Sequence, residues 1–324
     1  MAYAIRIRAH GGPEVLVAED IVVGVPGPGE ARIRQTAIGL NYIDTYHRSG
    51  LYPLTMPSGI GLEGAGVVDA VGAGVDDLKA GDRVAYSGGP VGAYATERLM
   101  PADRLVKIPE GVDDVTAATL MLKGLTVQYL FRQTFRLQGG ETILFHAAAG
   151  GVGLIACQWA RALGVHMIGT VGSDAKAELA RANGCVHTIV YTREDFVART
   201  KEITGGTGVP VVYDSIGKDT FPQSLDCLSP LGMFVSYGAA SGPIAAFNIG
   251  LLAQKGSLFA TRPTLFTYAA KRANLVAMAD EMFGLVLAGK IRSEARQTFA
   301  LKDAAEAHRA LESRATTGAT VLLP

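Results

Sequence analysis

Apolar and polar positions change rhythm twice along this chain. In the front part, "ARIRQTAIG" and "GAGVVDAVG" alternate or cluster β-branched and apolar residues between glycines and prolines, the spacing of strands. "VPGPGEARIRQ" reads as a turn feeding a strand, and "LKAGDRVAY" as a Gly-Asp turn before another. No long helical pattern appears before about Asp113.

The middle has a different period. "ETILFHA" reads as a buried strand. Val152, Ile155, Trp159 and Leu163 then fall on one helical face, with Gln158 and Arg161 off it. "VHMIGTV" is a second strand, "DAKAELARANG" a helix stopped by Gly184, and "HTIVY" a third strand. "REDFVARTKEITGG" is a helix and "VPVVYDS" a strand, and the alternation continues to "SLFATR". Strand and helix in turn predict an α/β fold, a doubly wound parallel sheet of about six strands.

After Pro263 the rhythm changes again. "RANLVAMADEMFGLVLAGKI" and "LKDAAEAHRALESR" read as amphipathic helices and "GATVLLP" as a closing strand. The economical arrangement has the tail, 264–324, return to the β-rich front, 1–122, leaving a cleft against a dinucleotide-binding domain, 123–263.

Composition narrows the functions this architecture can serve. The chain has 324 residues, 48% hydrophobic, with Lys+Arg and Asp+Glu both at 30 and a net charge of zero. That balance argues against nucleic acid, which needs a strong basic face. No apolar run approaches a membrane span, and "MAYAIRIRAHGG" has no apolar leader region. Three scattered cysteines make no disulfide framework. The expectation is a cytoplasmic protein. Forty glycines fit many tight turns and close approaches of backbone to ligand.

The chemistry begins at "HAAAGGVG", His146 to Gly153, between a strand and an amphipathic helix. A dinucleotide loop reads G-x-G-x-x-G, and here Ala148 stands in the first glycine position. Gly151 would let the backbone approach a pyrophosphate, and Gly153 would let helix and strand pack closely. The helix N-terminus offers unpaired N–H groups and partial positive charge. Ala148 is tolerable if its φ stays negative. Coenzyme choice falls to the end of the second strand, where an NAD site carries an acid for the ribose. Thr170, Val171, Gly172 and Ser173 hold none. Ser173, the following helix N-terminus and Lys176 suit a 2′-phosphate, and Tyr191 could close the site. Asp174 would oppose a phosphate unless its charge points away.

The block "GGETILFHAAAGGVGLIACQWAR", with "HGGPEVL", "AIGLNYIDTYHRSGLYP" and "LESRATTGATVLLP", resembles the quinone oxidoreductase and zeta-crystallin branch of the medium-chain dehydrogenase/reductases. It is especially similar to the bacterial NADPH:quinone reductases, over essentially the whole chain. The resemblance implies a GroES-like catalytic domain made of front and tail, a Rossmann-like domain between them, bound NADPH and a homodimer. It assigns cofactor contacts to Tyr42, Ile43, Asp44, Thr45 and Tyr46, to Tyr129, and to Gly151 and Val152. Gly172, Ser173, Lys176 and Tyr191 would hold the adenosine phosphate. Ile216, Gly238, Ser241, Pro263 and Leu265 would line the nicotinamide half, with Arg314 reaching in from the tail.

Zinc-dependent relatives of the same superfamily carry a Cys in the "IGLNYID" block and a His before the Glu of "GLEGAG". Here those positions are Asn41 and Leu62, and the structural-zinc region has no cysteine. Leucine has no lone pair and an amide is a poor zinc ligand, so no metal is expected. A substrate must then accept hydride readily, as a quinone or an activated enone does. Asn41, Tyr46 and Tyr52 are the residues expected to orient the substrate oxygen and to donate a hydrogen bond or proton to it; Glu63 is either a proton donor or, the favoured reading, a buried structural hydrogen-bonding group. A double-bond (enoyl or alkenal) reductase is the alternative. A crystallin-like or RNA-associated role is disfavoured by the neutral charge.

Overall fold

A computed structural model describes every residue except Arg314. It forms two compact units, Met1–Leu125 with Ala269–Pro324, and Thr126–Tyr268.

The second unit is built on six parallel strands in the order His187–Val190, His166–Val171, Thr142–Phe145, Val209–Asp214, Leu228–Ser236, Phe259–Thr261. The order reverses between Thr142–Phe145 and Val209–Asp214, and ligands of such sheets bind beyond the strand ends at that switch point. These strands read as nearly continuous apolar runs because both faces of a parallel sheet are covered. Leu144, Ile168, Ile189, Val212 and Phe234 form the core.

The first unit contains a sheet in the order Ala295–Ala300, Ala319–Leu323, Glu30–Leu40, Glu63–Val71, Arg83–Ser87, Val106–Lys107, with Glu97–Pro101 also pairing on Glu30–Leu40. The tail therefore completes the sheet of the front: Ala319–Leu323 runs antiparallel to Glu30–Leu40. A smaller sheet joins Val17–Asp20, Tyr3–Ile7 and Ser58–Gly59. Ile5, Ile33, Ile38, Tyr86, Tyr94 and Leu322 share one buried cluster. A short helix, Tyr42–Ser49, leaves the end of Glu30–Leu40. Asn41 caps its start and Gly50, at φ 84°, ends it in the left-handed conformation.

Candidate active site

In the second unit the strand Thr142–Phe145 runs through the glycine turn into the helix Gly151–Leu163. Gly150 occupies the N-cap and no side chain caps the helix, so Gly151 and Val152 present first-turn N–H groups suited to an anion. A Cβ on Gly153 would lie 2.3 Å from the Ala147 carbonyl oxygen, so only glycine lets helix and turn pack this closely. Ala148 keeps a negative φ, and its N–H donates to Thr170 O at 3.0 Å. The strained residue is its neighbour Ala147, at φ 58°. Gln158, expected on a polar face, is instead buried and donates to Leu154 O at 3.1 Å. The helix is buried without a break from Gly153 to Ala160, so it has no polar side there.

Beyond the strand His166–Val171, Ser173 caps the helix Asp174–Ala182, its hydroxyl accepting from the Lys176 N–H. Tyr191 lies over Gly172, where a Cβ would come within 3.0 Å of its hydroxyl, and the Tyr191 N–H donates to Val171 O at 3.1 Å. Gly172, Ser173, Lys176 and Tyr191 thus belong to two adjoining turns. Asp174 stands in the same place, and it is engaged: Arg193 donates to both its oxygens, at 2.8 and 2.5 Å. This hydrogen-bonded guanidinium holds the Asp174 carboxyl below the usual carboxylate range.

At the ends of the central strands lies a buried network that sequence reasoning missed. Asp214 accepts from the N–H groups of Ile216 and Gly217 at 2.7 and 3.0 Å and from the Thr220 hydroxyl at 2.7 Å. The Ser224 hydroxyl also donates to Asp214, at 3.0 Å. His146 bridges Thr170 at 2.9 Å and Ser224 at 3.0 Å, and burial lowers its pKa, keeping it neutral. Since Ser224 donates to Asp214, the imidazole donates through Nε2 and accepts from Thr170 at Nδ1. The turn carrying Ile216 is zipped to the next one. Ser241 N–H and Oγ both donate to Ile216 O at 2.9 Å, and a Cβ on Gly238 would meet Ser215 O at 2.6 Å. Ile216, Gly238 and Ser241 are therefore brought together. Pro263 and Leu265 follow the edge strand Phe259–Thr261, and Tyr129 stacks on Tyr268 with centroids 4.7 Å apart. Arg314 lies outside the described residues.

In the first unit Tyr42, Tyr46 and Tyr52 form an aromatic series, with centroids 5.8 Å apart for Tyr42–Tyr46 and 5.3 Å for Tyr46–Tyr52. The Tyr52 N–H donates to Tyr46 O, fixing the second pair. Asn41 is turned inward: its Nδ2 donates to Glu63 Oε2 at 2.7 Å and to Gly39 O at 3.3 Å. Both partners are acceptors, which settles the amide orientation and commits both its protons. In this arrangement both amide protons of Asn41 are engaged within the protein. Glu63, fully buried, also accepts from Leu122 N–H at 2.6 Å and pairs with the buried Lys123 ammonium at 3.1 Å.

Asp44 likewise points into the core, with Thr45 buried beside it. Its Oδ2 accepts from Asn41 N–H at 2.9 Å and Tyr94 Oη at 3.0 Å, while Oδ1 has no partner. Burial outweighs these bonds and the Lys123 charge, and pushes the carboxyl up to about 7. A chain of donors leads to it. Arg48 sits against His308 Nδ1 at 2.9 Å, and His308 Nε2 lies 3.0 Å from Tyr94 Oη. Arg48 can only donate, so His308 is protonated on Nε2 alone. Burial, then the Arg48 charge, lowers His308 to about 3. Glu312 completes the series by a bidentate pair with Arg48.

This arrangement does not suit zinc. Leu62 is buried and apolar, and Asn41 is bonded to a carboxylate already neutralised by an ammonium. Among the described residues no group of three or more His, Cys, Asp or Glu is placed to hold a metal. No helix among them is long and apolar enough to cross a membrane.

Residues 27–110 match the alcohol dehydrogenase GroES-like domain and residues 151–271 the zinc-binding dehydrogenase family. A quinone oxidoreductase of Pseudomonas aeruginosa is 58% identical, each chain covered in full. A 2-haloacrylate reductase of a Burkholderia species is 49% identical over 100% of this chain and 99% of its own. The solved structure of Escherichia coli quinone oxidoreductase complexed with NADPH superposes with a TM-score of 0.98, at 49% identity over 99% of this chain and 100% of that one. With identity of this order across its full length, a Rossmann-like parallel sheet and a GroES-like unit, the chain belongs to the quinone oxidoreductase family of the medium-chain dehydrogenase/reductases.

Proposed function

We propose that the protein is an NADPH-dependent quinone oxidoreductase that works without a metal. The observation carrying this reading is the glycine turn at the switch point of the sheet, followed by the turn of Ser173 and Lys176, where Asp174 is paired with Arg193. NADPH, when bound, supplies a hydride to an acceptor that becomes aromatic on reduction.

The chain's own part is binding and orientation. Gly151 and Val152 would hold the pyrophosphate on their N–H groups. Ser173, Lys176 and Tyr191 would take the 2′-phosphate. Ile216, Gly238, Ser241, Pro263 and Leu265 would line the nicotinamide half, with the turn at Ile216 held by Asp214 and, through Ser224, His146. Tyr42, Ile43, Asp44, Thr45 and Tyr46 would contact the cofactor, Asp44 and Thr45 through their backbone, since their side chains are buried. Tyr46 and Tyr52 would orient the flat substrate, and Asn41 would set the start of their helix. Stacking an electrophilic acceptor and excluding water asks for positioning more than for strong acid–base groups. In this reading 1–122 with 264–324 act as the catalytic domain and 123–263 as the dinucleotide domain, in a cytoplasmic homodimer.

A second reading, reduction of an activated carbon–carbon double bond, is favoured by one observation: a relative at 49% identity is a 2-haloacrylate reductase. Steady-state rates on para- and ortho-quinones against 2-haloacrylates and enones, with NADPH and NADH, separate the two. NADPH-dependent turnover of quinones at far higher kcat/KM supports the first; turnover of acrylates alone overturns it. Lys176→Ala should lower kcat/KM for NADPH about tenfold or more and leave NADH nearly unchanged, because a charge-assisted phosphate bond is lost. Equal loss with both coenzymes would mean that Lys176 is structural.

A further inference from the structure

The adenosine turn holds a contradiction on its face. Asp174 is the first residue of the helix that Ser173 caps. An acid at this strand end is what a ribose-binding NAD site uses, and a 2′-phosphate dianion would be repelled by it. The structure resolves the conflict with a residue from the neighbouring turn. Arg193 spans both oxygens of Asp174 in the two-point geometry that guanidinium and carboxylate share.

The backbone at Arg193 is held in a hydrogen-bonded turn. Its N–H donates to Val190 O at 3.0 Å, as does that of Glu194, and Glu194 Oε2 accepts from Val190 N–H at 2.7 Å. Tyr191 N–H is tied to Val171 O at 3.1 Å, and the Thr192 hydroxyl reaches Gly172 O at 3.4 Å. The strands beneath are in parallel register, Val171 opposite Val190. The turn bearing Arg193 is thus fastened to the turn bearing Ser173, Asp174 and Lys176. Glu194, the other acid here, is occupied by Arg199 Nε at 3.2 Å.

We propose that the Asp174–Arg193 pair sets coenzyme choice: Arg193 cancels the charge of Asp174, so that Lys176 leaves the turn net positive for a 2′-phosphate. The inference rests on the NADPH reading above. With Arg193, the formal charge of Asp174, Lys176 and Arg193 is +1; without it, Asp174 and Lys176 sum to zero. Arg193 therefore acts through Asp174, which separates it from Lys176, a direct phosphate partner.

The test is a double-mutant cycle read as binding. NADPH and NADH are titrated by nicotinamide fluorescence into wild type, Arg193→Ala, Asp174→Ala and the double variant, with Lys176→Ala beside them. Arg193→Ala should weaken NADPH roughly three- to tenfold while NADH holds or tightens, because the freed carboxylate repels phosphate and accepts from a ribose hydroxyl. The double variant should recover most of that loss. The Arg193→Ala effect should shrink at high salt, since both side chains are exposed.

If Arg193→Ala leaves the NADPH:NADH ratio alone, or if the double variant loses as much as the single one, the pair does not set the choice. In either case a selective loss in Lys176→Ala keeps the NADPH reading standing. A wild type that prefers NADH overturns both.

Discussion

Replacing Asp44 by Asn should stabilise the protein, and more so as the pH rises. The unfolded carboxyl titrates near 3.8 and the folded one is pushed up to about 7, chiefly by burial. Between those values the unfolded chain releases a proton that the folded chain keeps, so folding stability falls as pH rises, by about 1.4 kcal/mol per pH unit. The loss amounts to about 1.6 kcal/mol at pH 5 and about 4 kcal/mol at pH 7 and above. Asparagine removes this titration and keeps an acceptor for Asn41 N–H and Tyr94 Oη. Its new N–H group would replace Oδ1, which has no partner. The protonated acid carries the same kind of unsatisfied group, so wild type and variant should match near pH 4.

The assay is urea unfolding of both proteins at pH 5 and pH 8, read as a midpoint shift at unchanged slope. The advantage of Asp44→Asn should grow by about 2–3 kcal/mol between the two. Taking the difference between variant and wild type cancels every other titrating group. A difference that does not change with pH, or a variant less stable at pH 8, would refute the reasoning. It would mean that the bonds to Oδ2 and the Lys123 charge hold Asp44 ionised in the fold.

The buried pair behind Asn41 makes a second prediction. Glu63→Gln strands the Lys123 ammonium and should cost about 3–5 kcal/mol, whereas Glu63→Gln with Lys123→Met should recover much of it; urea midpoints that add like independent losses would show the two are uncoupled. Tyr52→Phe keeps the ring and removes the hydroxyl, so kcat on a quinone should fall less than about tenfold, and a loss of 10²-fold or more would reveal true acid catalysis.

What could be read from the sequence follows the distance over which each feature is encoded. The middle of the chain was legible because parallel strands need apolar runs and their helices need caps. "ETILFHAAAGGVG" carries strand, turn and helix start within one local stretch. The strand Ala295–Ala300 was missed because its residues alternate only between half-buried and exposed, leaving no apolar signal. The helix Tyr42–Ser49 hides for a related reason: most of it is buried, and its inward residues include Asp44, His47 and Arg48. Asp44 and Arg48 face inward against partners far along the chain, Tyr94 for the first and His308 and Glu312 for the second. Asn41 lies 22 residues from Glu63, and Glu63 lies 60 from Lys123. Asp174 and Arg193 are 19 apart and meet through the register of two strands. A single residue type at such a position says what chemistry is possible, and only the fold says what it is spent on.

The front block balances its buried charges from within the chain. In the front block the Glu63 carboxylate is opposed by the Lys123 ammonium at 3.1 Å, so the two formal charges cancel. Asp44, at about 7, is neutral below that pH. Asn41 spends its amide on Glu63, and Leu62 adds apolar volume to the core. The charges of the block are therefore balanced by a lysine that the chain itself supplies. A divalent cation introduced here would have to displace that lysine, strip Asn41 from its partner and gain nothing from Leu62. Asn41, Glu63 and Lys123 together form a hydrogen-bonded base at the start of the helix that carries Tyr42 and Tyr46.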